Sequence, residues 1–280
     1  MLRWILWTLS IFLSAPSPNA PSPVATAEAP KGHLIIIGGG STTDEMPKRA
    51  IALSGKEKPV VLVLPQASGR DDAGQKSVAM WTELGAVAAL LENDDRAAAH
   101  AAVQAADIIW MPGGAQTRLL EFLTKNGIDE KIRARFRDGA VVGGTSAGAA
   151  VMSDAMITGE FDGEGLTAKT TETVPGLGLV KAVIVDQHFH KRRRFNRLLS
   201  AVLDRPALVG MGIDESTAIV LSGRRLEVIG KSSVLVVDAR QAKVAPAEKG
   251  AILGAAGVLV HVWPTGTKIE LDFDPFTAPK

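Results

Sequence analysis

The run Val141-Val142-Gly143-Gly144-Thr145-Ser146-Ala147-Gly148-Ala149-Ala150 limits what this chain can fold into more than any other stretch. Two β-branched residues lead into glycines, then a serine, then small helix formers. Gly144 to Gly148 reads G-x-S-x-G, the pattern of a nucleophile elbow. In that device a serine is pushed out of a tight strand-to-helix turn. The backbone closes on itself there, so every flanking position must be small. Backbone N–H groups at the turn also converge on one point, as a developing oxyanion requires. On the pattern alone, an ordinary strand–helix connection with an incidental serine fits equally well. The rest of the chain must supply the partners.

An elbow needs a sheet, and the N-terminal half alternates short apolar runs with amphipathic ones. Strands are expected at 33–37, 59–64, 85–91, 107–111 and 140–142. Helices are expected at 44–53, 75–84, 95–106, 116–124 and 129–137. That alternation predicts an α/β fold: a doubly wound, mostly parallel sheet with helices on both faces. Two more strands follow at 182–185 and 207–213, separated by a basic helix from Lys191 to about Leu203. A polar loop is expected at 159–173, and a β-rich C-terminal part from Thr217 to Trp263. In such sheets ligands bind beyond the carboxyl ends of the strands. Three glycine-bearing ends then share a rim: Gly38 to Gly40, Gly113-Gly114, and Gly144 to Ser146. The first is not a dinucleotide fingerprint, because Thr43 stands where the third glycine of G-x-G-x-x-G belongs.

A serine hydroxyl attacks only when a base removes its proton. Of five histidines, His33, His100 and His261 fall inside regular elements. His188 follows a strand end, and His190 lies two residues on. The acid that orients the imidazole is sought at another strand end, where Asp214 and Glu215 close the strand ending at Ile213. Asp186 is near as well, but it suits substrate binding. The order serine, histidine, acid is not the serine, acid, histidine order of α/β-hydrolases. Oxyanion donors are expected from Ala147 N–H and the Gly113-Gly114 pair, Gly114 in particular. Arg192, Arg194 and Arg197 lie in the densest cationic cluster, immediately after His188. Arginine binds carboxylates through two parallel bonds, so the cluster points to an acidic substrate, with a solvated helix face as the alternative.

Composition removes other classes. The absence of cysteine excludes thiol catalysis, disulfides and cysteine-held metals. Lys and Arg number 31 against 30 Asp and Glu, a balance that gives no whole-chain field for nucleic acid or an anionic membrane. Residues 1–27 form a basic start, an apolar run from Trp4 to Ala15 and an Ala25-Thr26-Ala27 site, the pattern of a secretory signal. A single mature domain, 28–280, secreted or periplasmic and free of the membrane after cleavage, is the expectation.

Taken together, four ordered motifs resemble the cyanophycinase family of serine peptidases, which includes aspartyl dipeptidase. They are Gly143 to Ala149, Asp186-Gln187-His188-Phe189, the Arg192, Arg194, Arg197 spacing, and Gly212-Ile213-Asp214-Glu215. The resemblance covers about Lys31 to Trp263 and implies a fold like class I glutamine amidotransferases, with serine replacing their cysteine. It implies Ser146, His188 and Glu215 as the triad. Gln116, Asp186, Gln187 and the three arginines would line the substrate site. It further implies no metal or cofactor, a possible homodimer, and hydrolysis of cyanophycin, a poly-aspartate bearing arginine on each β-carboxyl, to β-Asp-Arg dipeptides. Hydrolysis of short peptides with N-terminal Asp or isoAsp is the alternative. The family often carries glycine at the position of Arg193.

Overall fold

A computed structural model describes residues 29–70, 72, 74–91, 95–161 and 165–279. The expected signal segment, residues 1–27, lies outside them. The N-terminal half alternates as its apolar spacing predicts. Strands β1 (His33–Ile37), β2 (Val60–Val63), β3 (Val87–Leu90), β4 (Ile108–Met111) and β5 (Val141–Thr145) are parallel, in the spatial order β1-β5-β4-β2-β3. The central strands are apolar at nearly every position because both faces are covered. Leu34 and Ile36 pack with helices α3 (Arg96–Ala105), α4 (Gln116–Lys125), α5 (Ile128–Asp138) and α6 (Ala147–Ala150). Ile35 and Ile37 face the other way, onto α1 (Glu45–Ser54) and α2 (Gln75–Glu83).

The C-terminal half departs from a single sheet. Strands β6 (Ala155–Phe161) and β7 (Thr171–Pro175) form a hairpin, where a polar loop was expected over 159–173. The polar runs Thr158-Gly159-Glu160 and Thr171-Glu172-Thr173 lack the alternation of a strand and hide its signal. Next come β8 (Val183–Asp186), α7 (Phe195–Leu203) and β9 (Val209–Ile213). Then follow β10 (Thr217–Ser222), β11 (Arg225–Gly230), β12 (Ser233–Asp238), β13 (Lys243–Val244), β14 (Ala255–Ala256), β15 (Leu259–Pro264) and β16 (Lys268–Glu270). Three of these, β10, β11 and β16, extend the main sheet from β1 with antiparallel pairings. Strands β13 and β14 pair with each other, and β8, β9, β12 and β15 build a second, four-stranded sheet in the order β15-β12-β9-β8. One face of that sheet, through Val183, Val185, Met211 and Val236, shares the core on the α3–α6 side of the main sheet. Its other face, through Ile184 and Val237, is covered by Leu198, Ala201 and Val202 of α7.

Helix α7 starts at Phe195, not at Lys191. Residues 191–194 instead make turns closed by Arg192 N–H to His188 O at 2.9 Å and Arg194 N–H to Phe189 O at 3.0 Å. Arg193 holds φ of 53° there, a left-handed conformation natural to glycine. Arg194 is therefore the residue preceding the helix, and it does not share a helical face with Arg197.

Candidate active site

The elbow forms because its sequence permits close contacts that other residues would forbid. A Cβ on Gly144 would lie 2.5 Å from Gly148 O, and one on Gly148 would lie 1.9 Å from Met111 O. Ser146 adopts φ 55° and ψ −109°, and its N–H donates to Ile37 O at 3.0 Å. Holding a non-glycine residue in such a conformation costs about 1–3 kcal/mol, which the buried neighbours Ala147, Ala149 and Val151 must outweigh. The strain turns the hydroxyl out of the sheet.

The partners of Ser146 come from the second sheet. Strands β8 and β9 are parallel and end together, with Asp186 opposite Gly212. Beyond those ends His188 Nε2 lies 2.9 Å from Ser146 Oγ, and His188 Nδ1 lies 2.7 Å from Glu215 Oε1. A carboxylate on Nδ1 fixes the proton there and leaves Nε2 as acceptor for the serine proton. Burial pushes the imidazole below its usual pKa, and Arg192 and Arg194 add to that. The hydrogen bond and charge of Glu215 oppose it. The residues alone left Asp214 and Glu215 as alternatives, and the geometry separates them. Asp214 accepts from His190 N–H at 3.2 Å, Lys191 N–H at 3.3 Å and Ser232 Oγ at 2.9 Å. It pins the turn that carries His188 without touching the ring. His190 Nε2 faces Ser233 Oγ at 3.4 Å, outside the relay.

Gly113 and Ala147 border the serine. A Cβ on Gly113 would be 3.8 Å from Ser146 Oγ. Gly114, at φ 146°, backs onto Ala67 O, 2.2 Å from its Cβ position. Ala147 begins α6, so its N–H has no intrahelical carbonyl to reach. A cleft of about 220 Å³, lined in part by Ser68, Arg70, Lys76 and Pro112, ends at Gly113 beside the serine.

On the other side lies a buried ionic cluster. Asp186 is fully buried and accepts two bonds from Arg197, one from Nε at 3.0 Å and one from Nη2. Arg194 Nη1 donates to Gln187 O at 2.6 Å and Gln187 Oε1 at 2.8 Å, and stands 3.6 Å from Asp186. Two guanidinium groups therefore share one carboxylate. Burial, with Arg197 beside it, pushes Arg194 down to about 10. The surplus positive charge is partly stripped of water, an environment that favours a bound anion. Arg192 is exposed and acts on the site through its charge near His188. Gln116 is buried and donates from Nε2 to Ile157 O at 3.0 Å, while Gly159 O accepts from Arg197 Nη1 at 3.1 Å. The β6 strand thus ties Gln116 to Arg197.

The sequence did not reveal what the triple glycine does. A Cβ on Gly38 would strike Asp214 O at 2.2 Å; on Gly39, His188 Cε1 at 2.3 Å; on Gly40, Glu215 Cβ at 2.9 Å. Gly39 and Gly40 also hold φ of 104° and 69°. The loop is a bare floor under the histidine and its acid. Gly39→Ala is expected to lower kcat by about 10²-fold or more, since a displacement of about 1 Å has that effect. Gly55→Ala is the control: φ is 65° there, with nothing within 4 Å of the Cβ position. It shares the backbone strain without the clash, and should keep kcat. A folded Gly39→Ala protein with wild-type kcat would show that the ring tolerates the methyl group.

Comparison with known proteins agrees with this geometry. The profile of peptidase family S51 matches residues 34–229, well over half the chain. A cyanophycinase of Geminocystis herdmanii is 36% identical over 221 residues, covering 74% of this chain and 81% of that protein. A cyanophycinase of Synechococcus elongatus is 35% identical over 224 residues, covering 75% and 69%. Among solved structures, a peptidase from an acI-B1 Actinobacterium superposes with a TM-score of 0.61 at 22% identity, covering 86% of this chain and 97% of that one. A putative peptidase E protein of Listeria monocytogenes gives 0.56 at 17% identity, covering 72% and 99%. The chain belongs to peptidase family S51.

Proposed function

We propose that the protein hydrolyses cyanophycin to β-Asp-Arg dipeptides through an acyl-enzyme on Ser146. The observation that carries this reading is the unbroken relay from Ser146 through His188 to Glu215. His188 Nε2 takes the serine proton as Oγ attacks the scissile carbonyl. The N–H of Ala147 and those of the Gly113-Gly114 turn receive the oxyanion. His188 then returns the proton to the leaving amine. Water repeats the sequence on the acyl-enzyme and frees Ser146. General base catalysis of this kind contributes about 10²–10⁴-fold, and one oxyanion donor about 10²–10³-fold. The buried surplus charge at Arg194 and Arg197 fits a substrate rich in carboxylates. Each side chain of cyanophycin ends in one, the α-carboxylate of its arginine. The relation to cyanophycinases supports the same choice.

The relay works only while His188 is neutral. Its pKa is lowered from 6.5, so activity is lost only as pH falls through a value below that. The acid limb of kcat/KM is therefore expected to have its midpoint under 6.5. Glu215→Gln removes both influences that raise the pKa, so the limb should move further down while kcat falls by about 10²–10⁴-fold. A wild-type limb centred above 6.5, or one unmoved by Glu215→Gln, would remove His188 as the titrating base.

Product analysis tests the substrate. Purified protein incubated with cyanophycin should release β-Asp-Arg, and folded Ser146→Ala protein should release none. Cleavage of short N-terminal Asp or isoAsp peptides with cyanophycin left intact would overturn the polymer assignment and leave the serine chemistry standing.

A further inference from the structure

The guanidinium pair beside the serine leans on an irregularity in β6. Strands β6 and β7 pair at Ile157 opposite Thr173 and again at Phe161 opposite Thr171. Between those pairs, residues 158–160 of β6 face the single residue Glu172 of β7. The excess makes a bulge, a device that re-aims groups next to active sites. Thr158 Oγ1 donates to Glu172 Oε2 at 2.8 Å and closes its base. Gly159, in the middle, holds φ of 115°, a conformation that only glycine adopts freely.

The bulge supplies backbone oxygens to two buried side chains. Gly159 O accepts from Arg197 Nη1 at 3.1 Å, and Ile157 O accepts from Gln116 Nε2 at 3.0 Å. Arg197 turns Nε and Nη2 to Asp186. Each nitrogen of that planar fork thus faces a fixed oxygen, and the group cannot swing. The far end of Arg197 is held as well, because Thr171 Oγ1 on β7 donates to its backbone carbonyl at 3.0 Å. Two further bonds lay the approach to β7 along α7. Ser200 Oγ donates to Thr167 O at 2.9 Å, and Lys169 N–H donates to Asp204 Oδ2 at 2.7 Å. Residues 197, 200 and 204 are spaced by three and four, so they share one helical face. The hairpin grips Arg197 by backbone and guanidinium together.

We propose that Gly159 and Thr171 are positioning residues for the substrate carboxylate. They fix Arg197, Arg197 fixes Asp186, and Asp186 sets where Arg194, 3.6 Å away, presents its charge. Neither residue touches the reacting atoms. This role rests on the carboxylate recognition proposed above, and it gives the hairpin the choice between a carboxylate and its neutral amide. A Cβ on Gly159 would lie 3.4 Å from Gln116 Nε2, so Gly159→Ala disturbs the backbone angle more than the packing.

Full-length protein is given a β-Asp-Arg oligomer and the same oligomer with its arginine carboxylates amidated. If only short peptides are cleaved, the pair is an isoAsp dipeptide with its α-carboxylate free or amidated. The wild type should favour the carboxylate form in kcat/KM. Gly159→Ala and Thr171→Val should each cut that preference by about tenfold, the loss expected when a hydrogen bond to a charged group is misaligned, through KM and not kcat. Thr171→Ser keeps the hydroxyl and should restore it. Fluorophosphonate labelling of Ser146 needs the relay and not the arginines, so it should run at the wild-type rate in all three variants. A wild type with no preference would remove carboxylate recognition itself, and this role with it. A wild type with a preference that survives both Gly159→Ala and Thr171→Val would overturn the hairpin's role alone. So would a loss that falls on kcat, or one accompanied by slowed labelling.

Discussion

One imidazole ring joins two sheets. His188 stands on the end of β8 in the smaller sheet, yet its Nε2 reaches Ser146 on the end of β5 in the larger. The two sheets must therefore hold their register to within a fraction of an ångström. The shared core does this, packing Val185 and Met211 of one sheet in the same cluster as Ile36 and Val142 of the other. Close backbone contacts finish the alignment: Phe189 N–H meets Ile213 O at 3.2 Å, and Ser216 N–H meets Gly39 O at 2.8 Å. The glycine floor lets the ring sit flush on the end of β1. In a chain with ordinary residues at 38–40, the same triad could not close.

Electrostatics follows the same division of labour. Glu215 is placed to hold the imidazole, and Asp214 to hold the loop that carries it. Asp186 lies in the interior, where an isolated carboxylate would be costly, and Arg197 satisfies both its oxygens. Arg194 is the remaining cation. It shares Asp186 with Arg197, so two largely buried cations face one carboxylate, a surplus that a bound anion would offset. Burial depresses the His188 pKa, with Arg192 and Arg194 adding to it and Glu215 opposing, a balance that favours the neutral imidazole.

The sequence was most legible where a residue's partners are local. Buried runs such as Val61 to Leu64 and the periodic helices from Glu45 to Asp138 read directly, because both faces of that sheet are covered. The elbow was legible because small residues at 143, 144, 147, 148, 149 and 150 have few other uses together. The second sheet was not, because its order depends on pairings between distant strands that no local pattern encodes. The β6–β7 hairpin carries consecutive polar and glycine residues, Thr158-Gly159-Glu160 and Thr171-Glu172-Thr173, and reads as a loop. The run Lys191 to Arg194 has helical composition, but Asp214 and the left-handed Arg193 hold it in turns. The glycine expected by resemblance at position 193 was the one local hint of that break. The choice of Glu215 over Asp214 rests on side-chain direction, which spacing cannot supply.

The central claim is that one activated serine carries the hydrolysis. A fluorophosphonate probe followed by peptide mass analysis addresses it directly. The relay predicts one phosphonyl group per chain, on Ser146, with cyanophycin cleavage lost in proportion to labelling. An adduct on another residue, or cleavage continuing in fully labelled protein, would contradict it.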